Sequence, residues 1–184
     1  MESPESLPSL DKEKILRDIL ARCEKDQAMR KKWAENNFNQ EFYDADLDIA
    51  NQKWIKETID QLEGWPKISE FGEAGADAFW VLVQHTPDLE LMKEMLIEMQ
   101  QLSGSEINTK NIAKTTDRIQ IREGKGQLYG TSYTLRDGVF SVDPIEDEEH
   151  IDERRFALGL DSFAEQKERA FSSYEEHLKN NDDQ

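Results

Sequence analysis

Apolar residues along this chain recur mostly three and four positions apart, the spacing of one helix face. The first stripe runs Ile15, Leu16, Ile19, Leu20 and Cys23, then continues through Gln27 and Arg30 to Trp33. It predicts a helix capped by Ser9 or Asp11, with two polar groups prolonging its apolar face. A second helix is expected from about Phe42 to Leu62, with Ile55, Ile59 and Leu62 turned inward. Stepping back along that face reaches Asn51 and Asp48. Gly64-Trp65-Pro66 stops the helix, because glycine suits a helix end and proline cannot continue one. A third helix opens in Phe71-Gly72-Glu73-Ala74-Gly75-Ala76, whose small residues permit a close neighbour. It places Ala78, Val81, Leu82 and His85 on one side. Thr86-Pro87-Asp88 reads as the start of a fourth, with Thr86 as cap and Pro87 first in the helix. Its stripe of Leu89, Met92, Met95, Leu96, Met99 and Leu102 reads as core.

A short fifth helix is expected near Ile107 to Thr116, and then the period changes. Between Asp117 and Pro144, Ile119 and Ile121 alternate with Gln120 and Arg122. Gly124-Lys125-Gly126 supplies a turn. Gln127, Tyr129, Thr131 and Tyr133 share one face of the next strand, Asp137-Gly138 signals a hairpin, and Val139, Phe140 and Val142 follow. This predicts a three-stranded antiparallel β-meander. The acids 147–149 then open a helix carrying Ile151, Arg154, Arg155 and Leu158, closed by Gly159. Ser162 and Glu165 match a capping box for the last helix, which runs toward Leu178. The expected fold is mainly α (α+β): one helical domain over residues 10–179 with the meander inserted. Residues 1–9 form a flexible tail and 180–184 a frayed one.

Composition narrows the classes of function. The 184 residues are 36% hydrophobic and 34% charged, with a formal net charge of −17. Such a field repels phosphate, so neither nucleic acid nor an anionic membrane is an expected partner. Cys23 is the one cysteine, so no intrachain disulfide or thiolate metal cluster can form. No metal and no cofactor is expected. The N-terminus lacks the pattern of a signal peptide, and no run approaches the roughly 20 apolar residues of a membrane helix. A cytoplasmic location follows. No Gly-x-Ser-x-Gly elbow occurs, and Gly124-Lys125-Gly126 is too short for a phosphate loop.

Several segments carry a joint pattern: CEKDQAMR, DIANQKWI, EGWPKISEFGEAGADAFWVLVQH, AKTTDRIQIREGKGQLYGT and PIEDEEHIDERRFALGL. The order DQ, D-x-x-N, GWP, QH, TDR, Q-x-YG and RR-x-x-x-GL resembles a widespread bacterial family of uncharacterised proteins. The resemblance spans about Cys23 to Leu160 and leaves the stretch after Ser162 outside. It implies a shared structure and a shared set of polar residues, and it hands over no reaction.

Polar groups on inward stripes mark the candidate site. Burying one without a partner costs about 1–3 kcal/mol, and more for a charge. Gln27, Arg30, Asp48, Asn51 and His85 stand at such positions, and Asp117, Arg118, Gln127, Tyr129 and Thr131 crowd the strand region. The expectation is one polar cluster, with His85 and Asp117 as catalytic acid–base candidates. Arg30, Asp48, Asn51, Arg118, Gln127 and Tyr129 would bind a ligand, and Arg154 and Arg155 would help to grip a carboxylate or phosphate. Each has a structural alternative: His85 closing a helix, Asp117-Arg118 pairing, Asp48 and Asn51 bonding helix ends, Arg154-Arg155 joining a surface ion network, Gln127 and Tyr129 pairing across strands. His150 and His177 read as exposed, without a role. The leading function is an intracellular small-ligand-binding protein able to use acid–base chemistry. Its rival is an acidic protein–protein interaction module, such as an adaptor, immunity or regulatory protein, without catalysis. Oligomeric state and partner are not encoded in any motif.

Overall fold

The computed structural model describes residues 11–136 and 139–182. The hairpin turn expected at Asp137-Gly138, the tail at 1–9 and the side chain of His177 lie outside what is described. The chain divides into two compact units, Met1–Pro87 and Asp88–Gln184.

In the first unit, α1 (Lys12–Glu35) begins at Asp11, whose carboxylate accepts from the Lys14 amide at 2.9 Å. Its buried residues are Ile15, Ile19 and Asp26. The expected stripe held Ile15 and Ile19 but also Leu20 and Gln27. Leu20 is 42% exposed and Gln27 is exposed, so the inner face is narrower on that side and takes in Asp26 instead. A 3₁₀ turn, Gln40–Phe42, precedes α2 (Ala45–Leu62), which starts at the Asp44 cap rather than at Phe42. α2 ends with Glu63 in the left-handed region at φ 53°, and Trp65 and Pro66 are buried beyond it. α3 (Ile68–His85) is broken at Gly72, where φ is 69°. It packs on both α1 and α2. At Gly75 a Cβ would sit 2.6 Å from Leu16 Cδ1, so this glycine admits α1 at close range.

In the second unit, α4 (Leu89–Gln100) is capped by Asp88, which accepts from the Leu91 amide at 3.0 Å. Thr86 and Pro87 therefore precede the helix, in place of the expected cap and first position. Leu91, Met92, Met95 and Met99 are buried. α5 (Thr109–Arg122) packs on α4 and runs straight through Ile119 and Ile121, where a strand was expected. Its helical stripe is masked in the sequence by two threonines. Their hydroxyls bond back to carbonyls four residues earlier, Thr115 to Asn111 at 2.7 Å and Thr116 to Ile112 at 2.9 Å. Gly124, with φ 75°, ends the helix, and the Lys125 amide returns to Gln120 at 2.9 Å.

The sheet among the described residues is thus two-stranded and not a three-stranded meander. β1 (Tyr133–Arg136) pairs antiparallel with β2 (Val139–Val142), Tyr133 opposite Val142. Of the expected strand from Gln127, Tyr133 opens β1, and Gln127 keeps an isolated parallel bridge to Ile145. α6 (Ile151–Ala157) and α7 (Phe163–Asp182) follow. Phe140 of β2 stacks on Tyr174 of α7 at 4.5 Å and meets Phe171 edge-on at 5.1 Å, which fastens the hairpin to that helix. The capping box at α7 is formed, with the Ser162 amide on Glu165 Oε2 at 3.0 Å. Among the described residues no helix is long and apolar enough to cross a membrane.

Gly130 has φ 69°, and a Cβ there would lie 2.6 Å from Phe163 Cδ2 and 3.0 Å from Ile151 Cδ1. Gly130→Ala combines left-handed strain with overpacking, and is expected to cost about 2–4 kcal/mol in a urea titration. A second expectation concerns acid. Hydrogen bonds from Lys125, then Lys93, lower the Glu123 carboxyl from 4.5 to about 2. A depressed carboxyl stabilises the fold above its unfolded value and loses that contribution as pH falls toward the folded one. Stability from Glu123 is therefore present above about pH 4.5 and fades toward pH 2. Glu123→Gln should flatten that part of the stability–pH curve relative to the unsubstituted chain.

Candidate functional site

Asp26 on α1 and Asp48 on α2 are carboxylates with 1% and 5% exposure. Arg30, one turn beyond Asp26, serves both. Its Nε donates to the two Asp26 oxygens at 3.2 and 3.3 Å, and Nη2 donates to Asp48 Oδ1 at 2.7 Å. Nη2 also reaches the His85 carbonyl at 3.3 Å, closing the end of α3. The His85 ring lies on the same carboxylate, with Nδ1 2.5 Å from Asp26 Oδ2. The Tyr43 hydroxyl donates to Asp48 Oδ2. That bond, followed by burial, pushes the Tyr43 phenol up, so it stays a donor. The Trp33 ring packs on Tyr43 at a tilt of 46° and a ring distance of 4.8 Å, and fixes its position.

The order of groups is thus His85, Asp26, Arg30, Asp48, Tyr43. In a neutral imidazole, a carboxylate on Nδ1 holds the proton there and leaves Nε2 as the basic nitrogen. The His85 side chain is 22% exposed and Arg30 is 19% exposed, so the network reaches the surface. A cleft of about 640 Å³ lies next to Tyr43, between Ala28, Met29 and Lys32 of α1 and residues 41–46. Cys23, half-buried on α1, has its thiol pushed up by burial and then by Asp26, so it is held in the unreactive form.

The second unit has its own network. Asp117, 1% exposed, receives four bonds: Leu128 N at 2.7 Å and Tyr129 N at 2.9 Å on Oδ1, and Thr131 N at 2.9 Å and Oγ1 at 2.8 Å on Oδ2. Those four bonds fill the acceptor capacity of a carboxylate. Gln127 is fully buried, donating to the Ser132 and Asp143 carbonyls at 3.0 and 2.8 Å and accepting from Ser132 N at 2.8 Å. Two arginines hold the carbonyls of the same loop. Arg154 Nε donates to Leu128 O at 2.9 Å, and Arg155 Nη1 to Tyr129 O at 2.6 Å. Arg155, 1% exposed, is balanced by Asp161 at 2.9 Å. Loop 127–132 is therefore gripped at its amides by α5 and at its carbonyls by α6.

Of the residues singled out in the sequence, Arg30, Asp48 and His85 meet in the first unit. Asn51 accepts from Arg22 Nη1 at 3.1 Å on the neighbouring turn of α2. Asp117, Gln127, Tyr129, Thr131, Arg154 and Arg155 meet in the second. The hydrogen bonds thus form two sets, one in each unit. Arg154 and Arg155 grip backbone, where a ligand anion was expected. Arg118 is exposed on α5 in mid-helix, not at a helix-to-strand junction, and Gln27 is exposed on α1. His150 is exposed and bonds Asp147 at 2.7 Å. Asp26 and Tyr43 join the network although no sequence pattern had marked them as site residues. Asp26 stands in the DQ pair, seven residues from Ile19, a spacing that puts it on the same helix face. Among the described residues no three His, Cys, Asp or Glu side chains are grouped to hold a metal ion.

A protein-family profile matches residues 13–177, and its description is a family of unknown function, DUF6624. The match extends past Cys23 to Leu160 at both ends and takes in most of α7, which the sequence resemblance left out. No curated protein and no solved structure matches the chain.

The two networks can be told apart by substitution. Asp117→Ala strands three amides and a hydroxyl, and is expected to cost about 3–5 kcal/mol in chemical denaturation. Asp26→Asn keeps the shape and one acceptor oxygen, and is expected to cost about half as much. It should also move the His85 ring resonances in an NMR spectrum, whereas Asp117→Asn should leave them in place.

Proposed function

The chain belongs to this family of unknown function, and from its own residues we propose a small-ligand-binding protein with an acid–base site in the first unit. The observation that carries this reading is the Asp26–His85 contact at 2.5 Å, braced by Arg30. A carboxylate that orients an imidazole equips Nε2 to accept a proton and return it, the elementary step of general acid–base catalysis. In this reading His85 exchanges the proton, Asp26 orients it, and Arg30 holds Asp26 against Asp48. Tyr43, at the other end of the network, lines a cleft whose wall does not include His85. Asp117, Gln127, Arg154 and Arg155 shape the second unit's loop and touch no ligand.

A second reading is the acidic interaction module. It is favoured by the net charge of −17 and by Phe38 and Ile49 of the first unit, each 61% exposed. Its partner would be a basic protein surface rather than a small molecule.

A thermal-shift screen of small metabolites, run on the unsubstituted chain and on His85→Gln, separates the two. A ligand at 100 times its dissociation constant stabilises by about 2.7 kcal/mol, a rise of about 5–10 °C for a chain of this size. The expected result is such a rise in the unsubstituted chain and its loss in His85→Gln. No rise with any compound, or an equal rise in both proteins, overturns the acid–base site.

A further inference from the structure

A small cavity of about 30 Å³ lies in the second unit, walled by residues of α5, α6, α7 and loop 127–132. Its charged and polar lining is Lys110 and Lys114 of α5, Arg155 of α6, Gln166 of α7, Asp161 and Thr131. Three cations thus face one carboxylate, in a chain whose net charge is −17.

That carboxylate is shared. Asp161 Oδ1 accepts from Arg155 Nη2 at 2.9 Å, and Oδ2 accepts from Arg169. Arg155 is 1% exposed. A guanidinium carries five N–H donors, and Arg155 makes three bonds, to the Asp161 carbonyl at 2.7 Å, to Asp161 Oδ1 and to the Tyr129 carbonyl. Two donors of a buried cation are therefore left over among the described residues. A buried charge whose partner is divided, with donors to spare, calls for further negative charge. Gln166 adds another donor, because its Oε1 accepts from Arg169 Nη2 at 3.1 Å and leaves the Nε2 end to donate. The other acids close by are already taken. Asp117 holds both donors of Thr131, and Glu165 is bonded by the amide and hydroxyl of Ser162.

We infer that this cavity binds a single monatomic anion of the size of chloride. Its volume is about the share of one molecule in liquid water, so it admits one atom-sized ion and no phosphate or carboxylate group. Ala113 and Leu160 complete the wall with apolar surface, which favours weakly hydrated chloride over strongly hydrated fluoride. Lys110 and Lys114 bring charge from α5 and Arg155 from α6, so the ion links the two helices that grip loop 127–132. This site is separate from the acid–base site of the first unit and does not depend on it.

The test is an NMR titration of the full chain in which sodium chloride replaces sodium glutamate at constant sodium, so that ionic strength is fixed. The signals followed are the Arg155 Nε–H and the Gln166 side-chain amide. The expected result is a saturable shift of both. The double variant Lys110→Gln, Lys114→Gln removes two exposed charges and keeps Arg155 with its loop bonds. It should bind chloride about tenfold more weakly, the size of one charge-assisted hydrogen bond. Broadening of the chloride NMR line by the unsubstituted chain, relieved by bromide, reads the same binding without any variant. No saturation and no broadening, as for a cavity that holds water alone, overturns the site. Equal chloride affinity in the double variant overturns the part given to the lysines. Acetate or phosphate binding as tightly as chloride overturns the choice of a single-atom ion.

Discussion

A carboxylate withdrawn from water must be given donors by the chain, and each unit of this protein is organised round that requirement. In the first unit Asp26 and Asp48 lie on different helices and Arg30 bonds both. Removing water from two acids that share one guanidinium is costly, and the cost is offset only when the geometry is good and other donors complete it. His85 on Asp26 and Tyr43 on Asp48 are those further donors. The network ties α1 to α2 and to the end of α3, so the groups with chemical capacity are also groups that set helix packing.

The second unit meets the same requirement with backbone. Asp117 gathers the amides of Leu128, Tyr129 and Thr131, which would otherwise look for a neighbouring strand. The loop gives up sheet pairing, and Gly130 turns it back with a left-handed residue. Arg154 and Arg155 then take carbonyls of the same loop. Three short patterns in the sequence, around Asp117, Gln127 and Arg155, thereby serve one loop. The bonds of Asp117 and Gln127 are thus spent on the chain itself, whereas in the first unit His85 is partly exposed and a cleft lies next to Tyr43.

Much of the helical framework could be read from spacing. The inner rows of α2, α3 and α4 hold Ile55, Leu82 and Met92 as their periods require. Two misreadings have physical causes. On α1, Leu16, Leu20 and Cys23 form an apolar row adjacent to that of Ile15 and Ile19, and the two rows together read as one wide face. Continuing the outer row put Gln27 inside, and Asp26, in line with Ile19, was left out. On α5, Thr115 and Thr116 hide the helical row because their hydroxyls are satisfied by the helix's own carbonyls. The two isoleucines that follow then alternate over too few residues to mark a strand.

The sequence by itself determined most of the helices, the stop before Trp65-Pro66, the small residue at Gly75, and the presence of polar side chains on inward faces. Those properties depend on neighbours within a few positions, where spacing and capping chemistry act. Tertiary structure alone decided the partners. Asp26 and His85 are 59 residues apart in the chain, and Arg30 and Asp48 are 18 apart. Which acid a base meets depends on how far each helix rotates about its axis when the apolar rows interlock, and that rotation is a property of the packed helices together.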